Sequence, residues 1–192
     1  MTTKEEFRTN PRALAKEILK RIESDKEPGK SAESREDKSA SGWDQATWIS
    51  SKLTEENVEL IPVDGGPGWA DRSWITLKCP TTCCVAGWAT TIAEYPPVYQ
   101  STVGSIAHLT DMIERYKDDF LDFYNCLTDS GTEHVSVLAK KLLDLNNMQA
   151  DYLFDSTRSE KEVKEVLCFI AAGVRWHVVY DENTDLAFAV EE

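Results

Sequence analysis

A chain of 192 residues, 41% hydrophobic and 29% charged, has the balance of a globular protein and can bury a core without metal or disulfide staples. Its formal net charge of −13 argues against direct nucleic-acid binding, because polyanions repel unless a basic face is segregated. Residues 1–40 carry 10 basic and 9 acidic side chains, whereas the remaining 152 carry 11 and 25, a net of −14, so the acidity belongs to the body.

The charged start, Met1 to Asn10, is not a secretory signal, and no apolar run approaches the ~20 residues that span a bilayer. Asn10-Pro11 reads as an N-cap followed by a first helical residue, and Leu14, Ile18, Leu19 and Ile22 give one apolar stripe. Residues 1–23 are therefore expected to form an N-terminal amphipathic helix. Residues 24–42, apolar only at alanine, read as a polar flexible linker, which leaves open whether the helix docks on its own body or on a partner.

The body is expected to be a single acidic, mainly helical domain, 43–192. Trp43 to Leu53 predicts a short helix, 58–63 and 74–79 predict strands, and Asp64 to Gly68 a turn. Helices follow at about 84–95, 105–127, 133–144 and 148–154. Ser159 and Glu162 have the spacing of a capping box, and Gly173 suits the residue beyond the last helix. Alternation around Trp176 to Tyr180 and Leu186 to Val190 predicts a β-hairpin. The fold class is mainly α (α+β): a compact helical domain with a small antiparallel β element that includes the C-terminal hairpin.

Three patterns carry possible chemistry. Cys83 and Cys84 precede a helix, where the dipole favours thiolate, and His177 is a base for a Cys–His hydrolase; the alternative is that Cys84, Gly87 and Trp88 pack a core. Cys79, Cys83 and Cys84 have loose zinc-ligand spacing but lack a second pair, so neither metal nor cofactor is expected. An odd count of five cysteines without a signal peptide favours reduced thiols in a cytoplasm, although a Cys79–Cys84 disulfide fits an oxidised state. Asp111, Glu114, Asp118, Asp119 and Asp122 make an acidic stripe, either a solvated helix face or a mimic of a phosphate backbone. Trp69, in a Gly-Pro loop, is a candidate anchor for a partner.

Three blocks are similar to those of a family of short, functionally uncharacterised proteins of actinobacteria and their bacteriophages. Trp43-Asp-Gln-Ala-Thr-Trp48 resembles W-[DN]-Q-x-x-W; Cys79 to Ala89 resembles C-G-T-x-x-C-x-A-G-W-A; Ala139 to Leu145 with Ala150 to Asp155 resembles A-x-x-L-L-G-L…A-x-x-L-F-[DS]. Pro80 and Asp144 stand where that pattern carries glycine, and Cys83 is an added thiol. The resemblance implies a phage-encoded or actinobacterial cytoplasmic protein and no activity; it leaves Trp43, Trp48, Cys79, Cys84, Gly87 and Trp88 as structural residues.

The expected function is that of a small acidic accessory protein, non-enzymatic, that binds a host or phage protein with a basic surface to modulate or inhibit it. Trp69, Asp118, Asp119 and Asp122 are its candidate contacts. A hydrolase using Cys83 or Cys84 and a nucleic-acid mimic that inhibits a nucleic-acid-binding protein are the alternatives. No membrane partner is expected, and the sequence leaves the oligomeric state open.

Overall fold

The computed structural model describes residues 3–24, 42–43, 49–54, 56, 58–62, 73–77, 82–101, 106–116, 120–181 and 186–192. The N-terminal segment, expected as one amphipathic helix over 1–23, forms two, α1 (Lys4–Thr9) and α2 (Pro11–Ser24), separated at Asn10. Asn10 Oδ1 accepts from the Ala13 N–H at 3.2 Å and Pro11 fills the first helical position, which fixes where α2 starts. Leu14, Ala15, Ile18 and Ile22 are all buried, and they share one core with the rest of the chain. Each of the three larger side chains stabilises the fold by roughly 1.5–3 kcal/mol relative to exposure. The N-terminal helix thus docks on its own body.

Five further helices follow: α3 (Val85–Ile92), α4 (Ile106–Arg115), α5 (Val135–Leu142), α6 (Asn147–Phe154) and α7 (Glu160–Ala172). α2 packs most extensively on α7 and also on α3, which in turn packs on α5. Val85 to Thr90 are buried without a break, so α3 runs through the core with no solvent face over that stretch. Arg8 locks α1 to the end of α3: its Nε donates to Ala93 O at 3.0 Å and its guanidinium lies 4.2 Å from the Tyr95 ring centre. The predicted capping box of α7 is present, with Ser159 and Glu162 each satisfying the other's backbone N–H. Gly173 ends that helix at φ 71°, a left-handed conformation. A Cβ there would land 2.0 Å from Arg12 Cζ, so α2 also closes over this turn. Asp144, where the family-like pattern carries glycine, ends α5 at φ 54°.

Eleven strands lie among the described residues: β1 (Gly42–Trp43), β2 (Ile49–Lys52), β3 (Val58–Pro62), β4 (Ser73–Leu77), β5 (Thr82–Cys83), β6 (Pro97–Ser101), β7 (Phe120–Asp122), β8 (Asn125–Thr128), β9 (Gly131–His134), β10 (Trp176–Asp181) and β11 (Leu186–Glu191). They form a five-stranded antiparallel sheet in the order β3-β4-β6-β8-β9, a four-stranded sheet β1-β5-β2-β7 and the hairpin β10-β11. The β1·β5 pair is parallel. The class is α+β, as expected, and the hairpin forms a sheet of its own rather than joining β3 and β4.

Two predicted helices are corrected. Gly42–Trp43 and Ile49–Lys52 are strands, because Ile49 is β-branched, adjacent serines favour non-helical backbone, and β5 offers β2 an edge. The predicted helix 105–127 ends at Arg115 and gives way to β7 and β8. Phe123 and Cys126, between and within those strands, are fully buried, and Phe123 meets the Tyr99 ring edge-on at 6.3 Å. Residues 133–134, placed at the start of the third predicted helix, belong to β9, and His134 N-caps α5.

Truncating Ile18 to alanine is expected to cost about 2–5 kcal/mol, the range for a buried aliphatic side chain. Lys20→Ala, whose side chain is exposed, should stay within about 0.5 kcal/mol of wild type. Urea unfolding of both variants checks the seating of α2.

Candidate functional site

Cys84 lies where the sequence places it, as the N-cap of α3, with extended backbone and no side-chain capping bond. Both Cys83 and Cys84 are sealed from solvent. His177 projects from β10 with about half its side chain exposed, its Nδ1 3.8 Å from a carboxylate oxygen of Glu192. A nucleophile must be reached by substrate and by a base. The two thiols fail the first condition, and His177 faces solvent beside Glu192. His134 is committed to structure: its Nδ1 accepts from the Ser136 N–H at 3.2 Å and lies 2.7 Å from the Ser136 hydroxyl.

Cys126 is also buried, and burial pushes its thiol up to about 11, with a Thr90 hydrogen bond opposing the shift. Cys83, Cys84, Cys126 and Cys168 are thiols, and the Cys79–Cys84 disulfide expected of an oxidised state involves a residue outside the described ones. Among the described residues no group of three or more His, Cys, Asp or Glu side chains is placed to hold a metal ion. Cys79, Trp48, Trp69, Asp118 and Asp119 lie outside those residues, as does the side chain of Trp43. Gly87 and Trp88 are buried in α3, with the Arg21 guanidinium 5.8 Å from the Trp88 ring centre.

The acidic stripe does not run along one helix. Asp111 and Glu114 are exposed on α4, but Asp122 lies on β7, beyond the helix end. There Asp122 is 3.4 Å from the Tyr124 hydroxyl and its charge raises that phenol above its usual value. The helical repeat on which a regular series of mimicked phosphates depends is therefore absent.

The hairpin β10-β11 carries the most pronounced surface feature. Five of the nine most exposed large apolar side chains among the described residues lie on it: Val179, Tyr180, Leu186, Phe188 and Val190. The register pairs Val179 with Phe188, His177 with Val190 and Asp181 with Leu186. Since cross-strand partners share a face, these six residues form the outer face. Trp176, Val178 and Ala187 are buried on the inner face, against α6 and α7. Sequence reasoning identified the hairpin but not this face. The available signal was Leu186-Ala-Phe-Ala-Val190: alanines at 187 and 189 suit close packing on a helix layer, which turns the large residues outward.

Arg158 holds the hairpin in place. Its Nη1 donates to Ala187 O at 3.1 Å and to Glu162 Oε1 at 3.2 Å, while Nη2 lies 3.5 Å from Asp155 Oδ2. The guanidinium stacks on the Tyr152 ring at 4.2 Å. On β10, Gln149 Nε2 donates to Trp176 O at 2.7 Å. The Thr157 N–H, its hydroxyl and Arg158 hold the Asp155 carboxyl below the usual range. The Ser159 hydroxyl, the Ser159 N–H and Arg158 do the same for Glu162. At the hairpin base a cleft of about 510 Å³ is lined by Arg12, Arg175, Asp144 and Glu192 among others, and its charges are of both signs.

No family model matches this chain, and neither a curated protein nor a solved structure matches it.

Two outcomes follow from this geometry. In the native protein a small alkylating reagent should modify Cys168, the exposed one of the four described thiols, while Cys83, Cys84 and Cys126 react only on unfolding. Rapid native labelling of Cys84 would restore the hydrolase reading. Second, the lowered Asp155 and Glu162 carboxyls stabilise the fold above the ordinary carboxylate range and lose that contribution as pH falls through their lowered values. Arg158→Ala should cost about 2 kcal/mol at neutral pH. Its thermal midpoint should fall less steeply than that of wild type between about pH 6 and about pH 3, yet not be flat, because Thr157 and Ser159 remain.

Proposed function

We propose that the chain is a small acidic accessory protein that binds another protein through the outer face of its C-terminal hairpin and modulates or inhibits it without catalysis. The observation that carries this reading is the outward display of Val179, Leu186, Phe188 and Val190 on a hairpin docked by Arg158 and Gln149. Exposed apolar side chains scattered singly need no explanation, whereas a contiguous set rimmed by charge is the usual form of a protein-binding patch. Phe188, central on that face and paired with Val179, is the natural anchor.

The surrounding acidity supports a partner with a basic surface and disfavours direct nucleic-acid binding. A bacteriophage or actinobacterial origin, and action in the host cytoplasm, rest on the resemblance of the three motifs. No helix among the described residues is long and apolar enough to cross a membrane.

Phe188→Asp places a charge on the outer face, away from the buried side. It should leave the thermal midpoint nearly unchanged while abolishing recovery of the partner that wild-type protein captures from a lysate of its source cells. Equal recovery by wild type and variant contradicts the assignment of this face.

A further inference from the structure

We infer that the outer edge of β10 accepts an extended segment of a basic partner protein as a third strand, which rests on the hairpin being the binding surface. In an antiparallel ladder, pairs that exchange hydrogen bonds alternate with pairs whose backbone groups point away from each other. The Glu192 N–H donates to Arg175 O at 3.0 Å, so the pair 175·192 belongs to the first kind. Counting along the register, the N–H and C=O groups of Trp176, Val178 and Tyr180 point away from β11, and those of Ala187 and Ala189 point away from β10. Three contacts agree with this phase, because Arg158 meets Ala187 O, the Tyr152 hydroxyl meets the Ala189 backbone, and Gln149 meets Trp176 O.

The two edges therefore differ. That of β11 is covered by side chains of the α6–α7 region. That of β10 is occupied only at its start, and beyond it the N–H and C=O of Val178 and of Tyr180 have no partner among the described residues. Four backbone groups in sequence, beside an outward apolar face, are the elements of strand addition: main-chain bonds supply affinity and alternate side chains supply selectivity.

Charge selects the occupant. Between Val174 and Glu192 the sequence has five carboxylates, Asp181, Glu182, Asp185, Glu191 and Glu192, against the single cation Arg175. In an antiparallel pair of copies Arg175 can face Asp181, but the sequence offers no cation to match the remaining four carboxylates, so a second copy gains less than a basic strand does. A strand with apolar residues at alternate positions and Lys or Arg at its ends matches both the Val179–Phe188 face and its acidic rim.

The test uses the full chain and a short capped peptide of alternating Val and Thr flanked by Lys pairs, with amide hydrogen exchange read residue by residue. The Lys peptide is expected to slow exchange at Val178 and Tyr180 by about tenfold or more, and the same peptide with Glu for Lys to leave it unchanged. An N-methylated Lys peptide, which keeps its charge but loses edge donors, is expected to have no effect at these amides. Tyr180→Pro, which removes an N–H outside the ladder, should lose the protection at Val178. The N-methyl comparison keeps the question answerable on the wild-type chain if that variant misfolds.

No slowing with the Lys peptide, or equal slowing with the Glu or N-methylated peptide, overturns the inference. Slowing that grows with protein concentration in the absence of peptide identifies a second copy as the occupant and also overturns it. Perturbation of Phe188 and Val190 without protection of Val178 and Tyr180 rejects strand addition but keeps the face as a binding surface; perturbation of neither rejects both.

Discussion

The structure depends first on the burial of one stripe of α2. Leu14, Ala15, Ile18 and Ile22 seat this helix against α7 and α3, and no other helix pair packs as extensively as α2 on α7. The consequences run outward from that contact. α3 is buried over most of its length and lies between α2 and α5. α7 is fixed along one side and ends at Gly173, over which the Arg12 guanidinium lies. The left-handed turn there sends the chain into β10, so the orientation of the hairpin is set by the helical layer.

Arg158 converts that orientation into a docked surface. It sits at the start of α7, where its two flanking carboxylates, the Tyr152 ring and the Ala187 carbonyl meet. A guanidinium suits this position because one planar group can serve two carboxylates, one carbonyl and one aromatic face together. The small inner residues of β11 let the strand approach the helices, and their large neighbours are left facing outward. Burial of apolar area stabilises the inner face, and the uncompensated apolar area of the outer face is the basis of its proposed role.

Where a local interaction determines an element, the sequence was sufficient to read it. Asn10-Pro11, the Ser159–Glu162 capping box and the Gly173 stop each act within a few residues, and each stands where expected. The stretch 105–127 misled because Phe120, Phe123 and Leu127 recur at three- and four-residue intervals, a helical period that a strand, a bend and a second strand also accommodate. Partners decided it: β7 pairs with β2, some seventy positions upstream, and β8 pairs with β6 and β9. Such non-local pairing leaves no mark within a short window. The same reason hid the candidate site. Alternation in 186–190 announces a strand, but which face is inward depends on Arg158 and Tyr152, residues of other elements. The buried Cys83 and Cys84 show the converse case: a helix N-terminus is a local signal, whereas accessibility is a property of the whole fold.

The most direct test of the central claim, that the outer hairpin face contacts a protein, is site-specific photo-crosslinking in cells that encode the chain. A photoreactive phenylalanine at position 188 should yield one dominant covalent protein adduct, and the same group at the exposed Lys161 of α7 should not. Absence of an adduct from position 188, or the same adducts from both positions, contradicts the account.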